Sequence, residues 1–206
     1  MNGAPAQIGM TLHADDVVML DERVLELEHY AYVLLNKPCG TITTASDPQG
    51  RPTVTQLVKR PERLFPVGRL DADTTGAILL TNDGELAHRL AHPSFGVEKT
   101  YLATVVGVPD ERALSMLASG VELDDGVTSP ARARIVRQRP GESVVELVLH
   151  EGRKHQVKRM LAAVGNEVKE LERARYATLT VEGLAPAEWR DLTSAEVEEL
   201  RRITTR

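Results

Sequence analysis

Gly68-Arg69-Leu70-Asp71-Ala72-Asp73-Thr74-Thr75-Gly76 runs directly into the apolar Ala77-Ile78-Leu79-Leu80-Thr81 and closes on Asn82-Asp83-Gly84. The apolar run reads as a buried strand and Asn82-Asp83-Gly84 as the turn that ends it. Glu85 to Ala91 then reads as a helix, stopped by Pro93. The loop ahead of the strand has a glycine at each end and presents Asp71 and Asp73. Two carboxylates two residues apart suit a general acid–base pair or a cation site, and they suit turn formation equally well.

Outward from this stretch the pattern is strand-rich. Upstream, Tyr32-Val33-Leu34-Leu35 predicts a buried strand, ended by Asn36-Lys37-Pro38-Cys39-Gly40, where proline and glycine force a loop. Pro52 is expected at the first position of a short helix reaching about Val58. Downstream, Thr100 to Val106 and Ser143 to Leu149 are β-rich runs of the kind that pair antiparallel. Val157, Met160, Leu161 and Val164 fall at i, i+3, i+4 and i+7, which predicts a helix over about 154–164 with Gly165 as its cap. Thr193 and Glu196 make a capping box for a last helix over 194–203. Many strands, few helices and no regular alternation of the two predict an α+β fold with a mixed, largely antiparallel sheet. Residues 1–29 read as one or two short strands, too little to bury a core alone, and residues 30–206 as the main domain.

Composition narrows the function. The chain has 206 residues, 42% hydrophobic and 27% charged, enough for a self-sufficient core. The single cysteine, Cys39, excludes an internal disulfide and a multi-cysteine zinc site, and it fits a reducing cytosol. No apolar run approaches ~18 residues and no export signal opens the chain, so a cytoplasmic protein without a membrane partner is expected. The net charge is −5, but residues 36–69 carry six Lys/Arg against two Asp/Glu and residues 132–175 eleven against six. A basic surface set in an acidic body suits phosphate better than the total suggests; scattered charge on solvated faces is the alternative. Aromatic residues are only 3%, too few for a stacking platform of the single-strand-binding type. Neither phosphate-loop pattern, Gly-x-x-x-x-Gly-Lys nor Gly-x-Gly-x-x-Gly, occurs, and His88 and His92 lack the glutamate of a zinc-protease helix, so neither cofactor nor metal is expected.

Five motifs in order carry a family resemblance: Leu35-Asn36-Lys37-Pro38 with Gly40; Gly68-Arg69-Leu70-Asp71 with Thr74 and Gly76; Lys99-Thr100-Tyr101; Glu151-Gly152-Arg153 with Gln156 and Arg159-Met160; and Leu171-x-Arg173. Over about Tyr32 to Leu200 the chain resembles the RsuA/RluB-type ribosomal RNA pseudouridine synthases. Ser46-Asp47-Pro48-Gln49-Gly50-Arg51-Pro52-Thr53 is more similar to the branch that acts on large-subunit (23S) RNA, with small-subunit (16S) RNA as the alternative. Lys154-His155 departs from an Asn-Arg common in that branch, Ala77 from a leucine, and Ala177 and Ala187 from glycines. Residues 1–29 resemble only the last hairpin of the family's N-terminal α-L RNA-binding domain, so a remnant or leader is expected there.

The resemblance implies isomerisation of uridine to pseudouridine by a monomer without cofactor. It makes Asp71 the catalytic aspartate and Arg153 its guanidinium partner, a pairing worth up to ~4 kcal/mol at ~4 Å and an effective dielectric of 20, before desolvation. Tyr101 would stack on the flipped base and Leu171 would pack on its other side. Arg69, Lys37, Lys154, Gln156, Lys158 and Arg159 would bind the RNA, with Lys154 and Lys158 on one helix face toward phosphate. Two other classes stay in view: an RNA-binding module without catalysis, and a glycoside hydrolase using Asp71 with Asp73.

Overall fold

Alternation between buried and exposed positions builds a sheet of short strands, with helices laid on its faces. The computed structural model describes residues 2–7, 9–11, 13, 15–25 and 28–205. The strands are β1 (Met19–Leu20), β2 (Arg23–Val24), β3 (Tyr32–Lys37), β4 (Phe65–Pro66), β5 (Thr75–Thr81), β6 (Lys99–Val106), β7 (Glu122–Leu123), β8 (Gly126–Val127), β9 (Arg132–Arg139), β10 (Glu142–Leu149), β11 (Val168–Tyr176), β12 (Leu179–Thr180) and β13 (Trp189–Asp191). The helices are α1 (Val54–Leu57), α2 (Gly84–Ala91), α3 (Glu111–Ser119), α4 (Gln156–Ala163) and α5 (Ser194–Ile203). No helix among the described residues is long and apolar enough to cross a membrane.

The chain divides into two units, residues up to 30 and residues from 31 onward. In the first, β1 and β2 form a hairpin with Met19 opposite Val24. Its turn uses positive φ at Asp21 and Glu22. Asn2 ties this unit together, donating to Asp16 and accepting from the Val17 amide, each at 2.8 Å. Parts of the 1–29 expectation, at residues 1, 8, 12, 14, 26 and 27, lie outside the described residues, as does residue 206.

The second unit is α+β. Its main sheet runs β13-β3-β5-β11-β6-β10-β9, with β4 added beside β5 and β12 beside β11. All pairings are antiparallel except that of β5 with β11, where Thr75 faces Glu172 and Gly76 faces Arg173. This parallel seam joins two antiparallel halves. β5 is apolar and buried on both faces, as a central strand must be. Ala77 and Leu79 pack with Leu34, α2 and α5, whereas Ile78 and Leu80 pack with Val33, Leu35 and Val54 of α1. The other half covers its face with α3 and α4, through Leu117, Val157, Met160 and Leu161 on Ala103, Val145 and Leu147. Tyr101 packs against both of the latter clusters, so it stands where the two halves meet.

The helix ends correct two expectations. Thr53, not Pro52, opens α1: it is the N-cap, and Gln56 closes a capping box with it. Helix α4 starts only at Gln156, because His155 adopts a left-handed conformation with φ of 50° and breaks the helical path. Lys154 therefore lies in the preceding loop and does not share a helix face with Lys158. Gly165 follows the Val164 cap, with φ of +84°.

Candidate active site

A cleft of about 680 Å³ opens at the seam, lined by the Asp71 loop, Tyr101 of β6, the 149–157 loop, and Leu171 and Arg173 of β11. This volume is in the range that holds a nucleoside-sized ligand. Asp71 is placed by a loop whose backbone is fastened on every side. Thr43 accepts from the Leu70 amide at 3.2 Å and donates to the Leu70 carbonyl at 2.8 Å. Gly40 donates to the Ala72 carbonyl at 2.7 Å, and the Thr74 amide closes a turn onto the Asp71 carbonyl at 3.1 Å. Leu70 is buried in the core beside β5, which turns its neighbours Arg69 and Asp71 outward.

Lys37 completes this support. It is fully buried, and its ammonium donates to the carbonyls of Pro38, Ala72 and Thr74 at 3.0, 3.2 and 2.7 Å. Burial pulls its pKa down to about 8, with Cys39, Asp73 and Asp71 pulling back. The expected contact of Lys37 with RNA is thus replaced by a structural one: a cation with no exposed surface cannot reach a phosphate.

The Asp71 carboxylate meets His155, with Oδ1 at 3.3 Å from Nε2. The expected Arg153–Asp71 pair is not formed. Arg153 directs its guanidinium into the β7–β8 hairpin, donating to the carbonyls of Gly126 and Val127 at 2.8 and 2.6 Å and to Asp125 at 3.2 Å. A turn of backbone carbonyls with an acidic tip offers this fork more acceptors than one carboxylate could. Arg159 joins the same hairpin through Asp124 and Asp125, and it holds the Asp125 carboxyl down to about 2, with Arg153 assisting. Lys158 takes Asp73, at 2.6 Å to each oxygen, which lowers the Asp73 pKa. Gln156 is buried: its Oε1 accepts from the Arg153 amide at 2.9 Å and its Nε2 donates to Glu151 at 2.6 Å. It shapes the 151–156 loop, with its amide turned to protein partners.

Of the predicted residues, the cleft brings together Asp71, Tyr101, Leu171, Arg153 and Gln156, with Arg69 and Lys154 exposed on its lining. Lys158 and Arg159 stand outside it on acidic partners. Glu151, the other carboxylate on the lining, accepts from Ser129 and Gln156. The loop reading of Asp71 and Asp73 therefore resolves into two tasks: Asp71 faces the cleft and Asp73 pairs with a helix lysine.

Lys99 and Arg173, which the motifs name without giving them a role, are both buried beside the cleft. Burial, then the charge of Arg173, lowers the Lys99 pKa to about 8. Arg173 lies over the Tyr176 ring, 4.8 Å from its centroid, and donates from Nε to the Ala77 carbonyl at 2.8 Å. The available signal was a charged residue at alternate positions of two strands that otherwise present apolar groups to the core.

Comparison with known proteins identifies the family. The profile of the family described as RNA pseudouridylate synthase matches residues 31–163. Ribosomal large subunit pseudouridine synthase B of Bacillus subtilis is 42% identical over 200 residues, covering 96% of this chain and 82% of the relative. Ribosomal small subunit pseudouridine synthase A of Salmonella typhimurium is 43% identical over 171 residues, covering 81% and 72%. A crystal structure of a pseudouridylate synthase superposes with a TM-score of 0.77 at 36% identity, covering 93% of this chain and 83% of that one.

Proposed function

This chain belongs to the RNA pseudouridylate synthase family, and from that premise we propose that it isomerises a specific uridine of ribosomal RNA, with Asp71 as the catalytic carboxylate. The observation that carries the assignment of Asp71 is its place in the cleft. It stands on an anchored loop and shares the cleft lining with Tyr101 and Leu171, while the cleft's other carboxylate is taken up by the loop around it.

The reaction breaks the bond between C1′ and N1, turns the base and joins C1′ to C5. A stacked uridine cannot be reached, so the target is flipped out, which costs a few kcal/mol. Tyr101 supports one face of the base and Leu171 the other. Asp71 stands at the sugar–base junction, where a carboxylate can attack C1′ or take the proton from C2′. Exposed Arg69 and Lys154 at the cleft contact the flanking phosphates and return the flipping energy through backbone contacts. RNA selection then rests on shape and unpaired loops.

Large-subunit RNA is the substrate we favour, on the 46–53 stretch and the Bacillus relative. The similar identity to a small-subunit enzyme makes 16S RNA the second reading. We place the reaction in the cytoplasm and assign it to a monomer whose first unit contributes to RNA binding. The test is a pseudouridine map of both ribosomal RNAs from a strain lacking this gene, with the purified protein added back. Loss and restoration of one 23S site supports the proposal; loss at a 16S site moves the substrate to the second reading; unchanged maps contradict the function.

A further inference from the structure

The floor of the cleft holds a buried cationic donor that the described residues leave without an acceptor. Arg173 is 2% exposed, and its Nη2 is buried with no acceptor among the described residues, although Nε is bonded to Ala77. Lys99, 8% exposed, donates to the Val97 carbonyl at 3.4 Å, with the Glu151 carboxylate near enough to favour its charge. Isolating a cation from water is costly unless an anion answers it, and an unused buried donor adds to that cost.

The sheet register determines what this donor faces. Arg173 sits opposite Tyr101, and Leu171 opposite Ala103. A bulge between Arg173 and Arg175 then brings Tyr176 opposite Lys99. Leu171, Arg173, Tyr176, Tyr101 and Lys99 consequently share one side of the sheet. The two residues assigned to the faces of the base flank the arginine, so what reaches it is the base. The phosphates meet Arg69 and Lys154 at the exposed lining instead.

We propose that Arg173 stabilises, through Nη2, the negative charge that the uracil ring carries once its bond to the sugar is broken. This rests on the synthase reading above. When C1′–N1 breaks, the electron pair stays with the ring and spreads over N1, O2 and O4. C1′ is balanced by a bond to the Asp71 carboxylate, or by loss of the C2′ proton to it. The ring returns the pair when C5 bonds to C1′, which releases Asp71 or returns the proton to C2′. The proton on C5 then leaves to a base as N1 takes up a proton, which restores the C5–C6 double bond and leaves the product ring neutral. Arg173 hydrogen-bonds a ring oxygen throughout, and that bond is strongest while the ring is an anion.

The test compares Arg173→Gln and Arg173→Lys with the wild-type chain on RNA carrying uridine or 5-fluorouridine at the target. Fluorine withdraws electrons and makes the detached ring a better anion, so bond breaking needs less help from the protein. The readouts are single-turnover loss of the target N-nucleoside and, separately, RNA affinity. On uridine RNA, Arg173→Gln is expected to slow the reaction by about 10²–10³, the scale of a lost oxyanion donor. Arg173→Lys, which keeps the charge, falls less. On 5-fluorouridine RNA each deficit shrinks by about tenfold, with RNA affinity unchanged. Equal deficits on the two RNAs, or a loss seen only in affinity, overturn the inference and leave Arg173 a structural or backbone-binding residue. If Arg173→Gln does not fold, Arg173→Lys decides alone: wild-type rates on both RNAs overturn the inference. A wild-type chain that converts neither RNA fails at the synthase reading itself, a result distinct from these.

Discussion

Replacing Gly76 by alanine would drive a methyl group into the backbone of the neighbouring strand at the seam that carries the site. A Cβ at this position lies 2.4 Å from the Arg173 carbonyl oxygen, 2.9 Å from its carbon and 3.0 Å from the Arg173 nitrogen, at a backbone φ of +100°. Because the obstacle is backbone, no side chain can swing aside, and β5 and β11 must part where they pair. Positive φ alone costs an L-residue ~1–2 kcal/mol, and overpacking adds ~1–3 kcal/mol. The sum, ~2–5 kcal/mol, is a large share of the ~5–15 kcal/mol that holds a domain together. Gly68→Ala is the matched control: its φ is +72° but nothing lies within 4 Å of the added carbon, so only the conformational ~1–2 kcal/mol applies. Urea unfolding of both variants gives the two costs. Single-turnover rates at a temperature where both are folded show whether parting the seam also displaces Arg173 and the Asp71 loop. Gly76→Ala should be the less stable by at least ~1 kcal/mol and the slower. Equal stabilities and a wild-type rate would refute the claim that this close approach holds the site together.

Other perturbations follow from the same geometry. Arg69→Gln and Lys154→Gln should each lower the slope of log RNA affinity against log salt by ~0.7–0.9, whereas Lys158→Gln, already paired with Asp73, should leave it near wild type; a reversed order would show that the phosphate path runs over α4. Between about pH 8 and 10, native Lys37 and Lys99 release protons that the unfolded chain, near 10.4, still holds. Stability should therefore rise with pH in that window, and Lys99→Met should remove its part of the rise; a wild-type slope in urea titrations of that variant would contradict the burial argument. Ala177 and Ala187 hold φ of 54° and 69°, so glycine at either position should raise stability by up to ~1 kcal/mol in thermal unfolding, and destabilisation at both would mean that the alanine methyls pack usefully.

What could be read from the chain was mostly local. The capping box at Thr193 and Glu196 placed α5, and both observed polar contacts of that box are made. The apolar run of β5 and the β-rich runs of β6 and β10 kept their place because burial on a pleat imposes their composition. The seam between β5 and β11 was out of reach, since it pairs residues nearly a hundred positions apart and leaves no periodic trace. Its consequences were hidden with it: Lys37 and Arg173 look like surface cations until the register shows them enclosed. Arg153 failed for a related reason. Motif order placed it near Asp71, but the β7–β8 hairpin, too short for a pattern signal, supplies a denser set of acceptors. Nothing in the sequence points to the His155–Asp71 contact, because the left-handed backbone at His155 is unusual for a residue with a Cβ.

The central claim is that Asp71 performs the chemistry and Asp73 only anchors a helix. The most direct measurement is single-turnover pseudouridine formation by Asp71→Asn and Asp73→Asn on the RNA that the wild-type chain modifies, with RNA affinity and unfolding measured alongside. Asp71→Asn should form no detectable pseudouridine while folding and binding RNA nearly as the wild type does. Asp73→Asn, which loses one exposed ion pair worth ~0–1 kcal/mol, should stay within about tenfold of the wild-type rate. Comparable losses in the two variants, or turnover by Asp71→Asn, would contradict the account.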